Sequence, residues 1–360
     1  MIRMTGLLVP ISLRRLCISM KQILDLELKT SKIVAPAIGE EKGGYIPLPL
    51  RNLAPGDVVT FDVYLKVKAK KDPEPRFVLA CPKNEIFKEE WFQKLKSLEI
   101  QWLYYQQEDE DRVLEYLDRS LEKVLPDETW KPEEKVTLLY DTTLITVRNF
   151  FCSEEIGASP QMFRALRLID GMFDLMKGGV DFHRSILEIR RHDHVLYNHS
   201  LNVCFLGLAF ISFLGWDAQK AQDFGLGAML HDIGLIQLKP ELVQKDTTRT
   251  AVKTTDSHPA VGYKMLSAMP GIRREVRYMA LQHHENGDGS GHPGGLKINA
   301  IDPWARVLRI LDHYETLTGG NSHKRPKSSK EALKEMAALQ ERNIFDLNYF
   351  MSFIKFIGKT

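Results

Sequence analysis

The sequence predicts a small α+β module followed by an all-helical bundle that holds a buried metal centre. Three observations carry this expectation. Apolar residues alternate with period two in the first third of the chain and recur at helical spacing from residue 131 onward. All eleven histidines lie at or beyond His183. In that second half, histidine and aspartate gather at expected helix ends, so chemistry that needs imidazole is confined there. The boundary falls near residue 130, giving an N-terminal module over 1–130 and a helical domain over 131–360. A chain of 360 residues is long enough for two separate cores.

The elements follow in order. Residues 1–22 carry Arg3, a short apolar stretch from Gly6 to Leu13 and then Arg14-Arg15, with no small-residue cleavage site. They read as a poorly ordered leader or as the product of a start codon set too far upstream, with a degenerate signal peptide as the weaker alternative. Val59, Phe61, Val63, Leu65 and Val67 alternate with more polar residues, the pattern of one half-buried antiparallel strand. Pro55-Gly56-Asp57 supplies the turn before it and Lys70 to Pro75 the turn after it. Phe77 to Ala80 is the returning strand, Ile86 to Leu98 a helix, and Gln101 to Tyr105 a further strand. Val113, Leu114, Leu117, Leu121 and Val124 mark a helix over Asp109 to Val124, ended by Pro126.

Beyond that point the pattern is helical. Pro132 sits in a first helical turn, Ser159-Pro160 opens a helix and Gly178-Gly179 closes it. Asp217 caps the helix running into His231. Ser328 and Glu331 have the spacing of a capping box.

Bulk properties exclude several classes. A net charge of +2, with 44% hydrophobic and 27% charged residues, gives no electrostatic footprint for DNA. No apolar run reaches the roughly 20 residues of a membrane span; the longest is Val203 to Leu214. Cys17, Cys81, Cys152 and Cys204 are scattered without a CxxC. That argues against a disulfide framework or a zinc ribbon, and fits a reducing cytoplasm.

Five segments concentrate metal-ligand types: Asn198-His199-Ser200, His231-Asp232, Ser257-His258-Pro259, His283-His284-Glu285 and Leu311-Asp312-His313. Imidazole nitrogen and carboxylate oxygen suit divalent iron, manganese or zinc. An adjacent His-Asp pair is informative because the two oxygens of one carboxylate can bridge two cations. Two such cations can share a water, turn it into hydroxide near neutral pH and clamp a phosphodiester. The run from Asn286 to Gly295 has too many glycines for a helix or a strand, and its position after His283-His284 makes it the mouth of the site.

These residues resemble the HD-GYP family, a branch of the HD superfamily in bacterial cyclic di-GMP signalling. The resemblance rests on His231-Asp232-Ile233-Gly234, His258-Pro259, His283-His284-Glu285 and Asp288-Gly289-Ser290-Gly291-His292-Pro293. It continues through Ala305-Arg306-Val307, Asp312-His313-Tyr314-Glu315, Arg325-Pro326 and Phe345-Asp346, covering about 193–350. It implies an HD-type helical domain around two divalent transition-metal ions, iron first and manganese second. His199, His231, Asp232, His258, His283, His284 and Asp312 are the implied metal ligands, with Asp232 bridging. The order of His283 and His284 in the coordination is left open. The implied reaction is hydrolysis of cyclic di-GMP to pGpG or GMP. Arg306 is the expected phosphate contact, and Asp288, Gly289, Gly291 and Pro293 line the substrate. The N-terminal module is then the place for a signalling protein partner.

Departures accompany the matches. His292 stands where the family carries the tyrosine of Gly-Tyr-Pro, Leu235 where it carries a lysine, and Asn286 where it carries an arginine. Val195 replaces the carboxylate that some members use for a third ion. Imidazole at His292 offers a replacement donor or a further ligand, which places it among the expected catalytic groups. Two alternatives stay open beside the phosphodiesterase: a weak or inactive cyclic-dinucleotide receptor, and a phosphohydrolase of another nucleotide.

Overall fold

The structure, a computed structural model, describes residues 31–33, 44–69, 75–152, 159–177, 196–238, 257–319 and 325–359. The leader, most of the turn from Lys70 to Pro75, the Gly178-Gly179 stop, Val195 and Lys324 lie outside the described residues. The chain divides into two compact units, Met1–Tyr116 and Leu117–Thr360.

The first unit is built on an antiparallel sheet. Its strands are β1 (Ser31–Ile33), β2 (Tyr45–Pro49), β4 (Val63–Ala69), β5 (Arg76–Cys81) and β7 (Trp102–Gln106). They run in the order β1-β4-β7-β2, and β5 also pairs with β4. A two-stranded ribbon joins β3 (Val58–Val59) to β6 (Glu85–Ile86). The single strand expected over 59–67 is therefore two strands in different sheets. The break falls at Asp62, whose carboxylate accepts from the Lys83 backbone N–H at 2.8 Å and pins the chain there. Nor is β4 half-buried: Tyr64 and Lys66 are covered as well as Val63, Leu65 and Val67. The helix expected from Ile86 starts later, as α1 (Glu89–Ser97), because Ile86 is committed to β6. β2 has no counterpart among the sequence expectations. It carries Pro47 and Pro49, which an edge strand tolerates; among the described residues β2 pairs on one side only, with β7.

The helix α2 (Glu110–Val124) begins in the first unit and ends in the second. The second unit continues with α3 (Pro132–Cys152), α4 (Ser159–Lys177), α5 (Leu196–Phe213), α6 (Ala218–Leu230), α7 (Leu235–Leu238), α8 (His258–Ala268) and α9 (Arg274–Gln282). It closes with α10 (Pro303–Gly319), α11 (Ser329–Gln340) and α12 (Leu347–Ile357). Asp217 caps α6 by accepting from Lys220 N, and the Ser328/Glu331 capping box opens α11. α5 is apolar on all sides and packs against α3, α4, α6 and α10, as a central helix should. Its Leu201, Phe205, Leu208 and Phe210 meet Phe224, Leu311 and Phe353 in one continuous core. Among the described residues, no helix is long and apolar enough to cross a membrane.

Candidate metal centre

Helix ends carry most of the site. His199 lies in the first turn of α5, His231 and Asp232 follow the last residue of α6, His258 opens α8, and His283-His284 end α9. Asp312 alone projects from mid-helix, on α10. Two close approaches allow this convergence. A Cβ at Gly234 would lie 2.1 Å from the His258 carbonyl oxygen, so only glycine lets the His-Asp turn touch the start of α8. Gly262 faces Gly234 from the next turn of α8.

The seven expected ligands come together in two groups. Asp232, His258, His283 and His284 form one, and His199, His231 and Asp312 the other; within each, the donor atoms lie within 4.8 Å of one another. Asp232 joins the groups through its two oxygens. Oδ1 lies 3.1 Å from His258 Nε2 and 3.4 Å from His283 Nε2. Oδ2 lies 3.4 Å from His231 Nε2 and 4.0 Å from His199 Nε2. Asp312 Oδ1 stands 3.1 Å from His199 Nε2.

Backbone and side-chain acceptors orient the imidazoles. His231 Nδ1 donates to Ala228 O at 2.8 Å, and His283 Nδ1 to Ala280 O at 2.9 Å. Their Nε2 atoms are then lone pairs turned to the cluster. His231 Nε2 is buried with no hydrogen-bond partner, the condition in which a cation is the missing partner. His199 differs: its Nδ1 is 2.5 Å from Glu315 Oε2. Asn202 Nδ2 donates to Glu315 Oε1 at 2.9 Å, and Tyr140 OH donates to Asn202 Oδ1 at 2.8 Å. Imidazoles plus carboxylates are the donor set that divalent transition metals take, so these residues fit such ions.

The charge states agree with that fit. Burial pushes His231 down to about 4 and His284 down to about 2, leaving both neutral at neutral pH. Burial disfavours the charged form of Asp232, yet His231, His258 and His283 outweigh it and hold the carboxyl well below its usual range. Asp312 is lowered too: burial opposes ionisation and His199 overcomes it. His199 goes the other way. Burial works against its imidazolium, but Glu315 and Asp312 prevail and raise it well above the usual value.

The glycine-rich loop leaves the centre after His284 and folds back on it, the His292 N–H donating to His284 O at 3.2 Å. Glu285, itself buried, accepts from Gly294 N at 2.5 Å and Leu296 N at 2.9 Å. At Gly291 a Cβ would sit 2.3 Å from Asn286 N, so this glycine serves the loop's close fold-back. Asp288 holds the loop together: its carboxylate accepts from Ser290 N at 2.9 Å and from Arg342 at 3.1 Å. Gly289 adopts a left-handed φ of 81°. The His292 ring, next to Pro293, lies 4.9 Å from that of His284, on the flank of the Asp232–His258–His283–His284 group.

Arg306, the expected phosphate contact, is held by partners outside the two groups. Its Nε donates to Ile301 O at 2.8 Å and its Nη1 pairs with Asp346 Oδ2 at 3.2 Å, which ties it to the cap of α12. The guanidinium near the cluster is that of Arg309, with Nη1 3.9 Å from Asp312 Oδ2. Sequence reasoning missed Arg309, and gave Glu315 no role beyond its place in the motif; it missed Asn202 and Tyr140 as well. The one available signal was the helical spacing of Arg309, Asp312 and Glu315, three residues apart on one face of α10.

Helices converging histidines and aspartates on a shared carboxylate define an HD-type domain, and residues 188–348 match the family described as HD domain. Curated relatives of this part of the chain are named cyclic di-GMP phosphodiesterases. The cyclic di-GMP phosphodiesterase PA4108 of Pseudomonas aeruginosa is 29% identical over 221 residues, covering 58% of this chain and 53% of the relative. A cyclic di-GMP phosphodiesterase of Thermotoga maritima is 28% identical over 167 residues, covering 44% and 45%. The chain thus spans about half the length of these relatives. Among solved structures, Bd1817 of Bdellovibrio bacteriovorus, described as an HDG"Y"P protein, is 19% identical with a TM-score of 0.63, covering 86% of this chain and 97% of that one. It shares the fold.

Proposed function

We propose that this protein is a metal-dependent phosphodiesterase that hydrolyses a cyclic dinucleotide, cyclic di-GMP first among them, to pGpG or GMP. The observation that carries the reading is Asp232, one carboxylate whose two oxygens each face a separate group of histidines. His199, His231 and Asp312 would hold one divalent ion and His258, His283 and His284 another, with Asp232 shared. Iron is the favoured metal and manganese the second choice. Bound divalent ions supply water activation and charge stabilisation for phosphodiester cleavage.

The chain's own residues do the rest. Glu315 fixes the His199 ring and strengthens its Nε2 as a donor. Glu285 holds the loop from Gly287 to Gly295 over the centre through two backbone amides, so Gly289, Gly291, Pro293 and His292 border the substrate. The first unit, without histidine, has the role of relaying the state of the site to a protein partner in the cytoplasm.

Leu235 and His292, in place of the family's lysine and tyrosine, favour a second reading, in which nucleotide binds and turnover is slow. One experiment separates the two. The full chain is purified anaerobically, its metal content measured, and the loaded protein assayed against cyclic and linear nucleotides. Two ions per chain and a linear dinucleotide product are expected. Tight binding of cyclic di-GMP without product selects the receptor. Protein that stays metal-free after reconstitution overturns both.

A further inference from the structure

Arg309 is an unusual residue to bury. Its side chain is 14% exposed, and a guanidinium removed from water requires compensation by charge or by hydrogen bonds. Nε and Nη2 both donate to Asn286 Oδ1, at 3.2 and 3.1 Å. Nη1 donates to His313 Nδ1 at 3.3 Å, and the guanidinium lies 5.7 Å from the centre of the Phe345 ring. An amide oxygen, an imidazole lone pair and a ring face orient a cation without cancelling its charge. Among the described residues, the carboxylate within 4 Å is that of Asp312, at 3.9 Å from Nη1.

Asp312 also belongs to the His199–His231 group. An ion held there draws on the same negative charge, and Arg309 is then left beside the centre with neutral partners. A second anion is needed, and it must reach the side of the centre where the glycine-rich loop begins. Guanidinium and a phosphate's non-bridging oxygens are matched in geometry and charge.

Resting on the phosphodiesterase reading, we propose that Arg309 is the substrate's phosphate contact and that Asn286 aims it. The hydrogen bonds between the two side chains also mean that positions 286 and 309 share one slot beside the centre. A guanidinium can enter that slot from either backbone position.

The test uses the full chain loaded with manganese, with bis(4-nitrophenyl) phosphate as substrate and inorganic phosphate as inhibitor. Arg309→Gln is expected to keep the wild-type metal content while the KM and the inhibition constant for phosphate rise tenfold to a hundredfold. The double variant Asn286→Arg with Arg309→Ala should bring both constants back to within a few-fold of wild type. This rescue is a readout that mere packing of Arg309 would not produce. If Arg309→Gln does not fold, the double variant decides alone: wild-type phosphate inhibition supports the assignment, and its loss in a folded, loaded protein overturns it. Unchanged constants in loaded Arg309→Gln, or loss of metal from that variant, also overturn it. Those results leave the phosphodiesterase reading standing, whereas wild-type protein that takes up no ion and cleaves no diester overturns the two together.

Discussion

His199 Nδ1 lies 2.5 Å from Glu315 Oε2, across 116 residues of sequence. The other oriented imidazoles of the centre, His231 and His283, donate to backbone carbonyls instead. The His199 ring is therefore backed by a full negative charge. This makes the His199–His231–Asp312 group dependent on a residue that is not itself a ligand. Glu315→Gln, nearly the same shape without the charge, should lower the affinity of that group for its ion about 10- to 100-fold. Chelator competition measures it, and circular dichroism should show an unchanged fold. Two ions held as tightly as in wild type would refute the role.

Asp232→Asn is expected to cost both ions rather than one, because Oδ1 and Oδ2 serve different groups. The helices keep their apolar core, so the variant should stay folded and metal-poor. Elemental analysis of the purified variant decides it: a single retained equivalent means the carboxylate serves only one group.

The metal-free protein should be most stable near pH 6.5. His231, lowered to about 4, and His284, lowered to about 2, resist protonation when folded but accept it when unfolded. Their contribution is present above about pH 6.5 and is lost as pH falls toward those values. His313, lowered to about 4 by burial, acts in the same direction. His199 is raised, so its contribution is present below about pH 6.5 and is lost as pH rises through its folded value. Thermal unfolding of chelator-treated protein across pH 4–9 should trace a dome; a flat profile contradicts these charge states.

Gly234→Ala should be among the most damaging single-methyl changes in the chain. The new Cβ meets backbone, the His258 carbonyl oxygen at 2.1 Å and Gly262 N at 2.6 Å, and backbone cannot rotate aside. A loss of at least about 2 kcal/mol is expected, with His258 displaced from Asp232. Denaturant midpoints test the first part and metal content the second.

Leu235→Lys combined with His292→Tyr should raise turnover of cyclic di-GMP by about one to two orders of magnitude, the worth of one charge-assisted contact in the transition state. Leu235 opens α7 directly after the His-Asp turn and is only partly buried, so a lysine there can reach solvent or substrate. Metal content should not change. An unaltered rate in the loaded double variant would show that these two positions do not limit the chemistry.

The clustering of these seven histidines and aspartates was legible in the sequence because histidine is confined to one half of the chain and adjacent residues of these types mark helix ends. The caps at Asp217 and Ser328 were legible for a similar reason: capping is local, and its residues stand three apart. What escaped is non-local. Asn202 reaches Glu315 across 113 residues and Tyr140 reaches Asn202 across 62. Single polar residues on apolar helices look like ordinary helix positions until tertiary contact pairs them. β2 escaped because Pro47 and Pro49 speak against a strand, and only its place at the sheet edge makes them harmless. The break at Asp62 escaped because alternation continues through it, while the interruption comes from a distant N–H at Lys83.

Tyr140 belongs to α3, well before residue 188, where the match to the HD family begins. Its hydroxyl joins the chain of hydrogen bonds that runs through Asn202 and Glu315 to His199. The stretch that carries all seven expected ligands therefore leaves out part of the hydrogen-bond network that orients them. A fragment cut at the first recognisable motif would keep all seven donors and strand a buried amide oxygen behind them. The support of the cluster thus reaches back to a tyrosine on a helix that carries none of the seven residues.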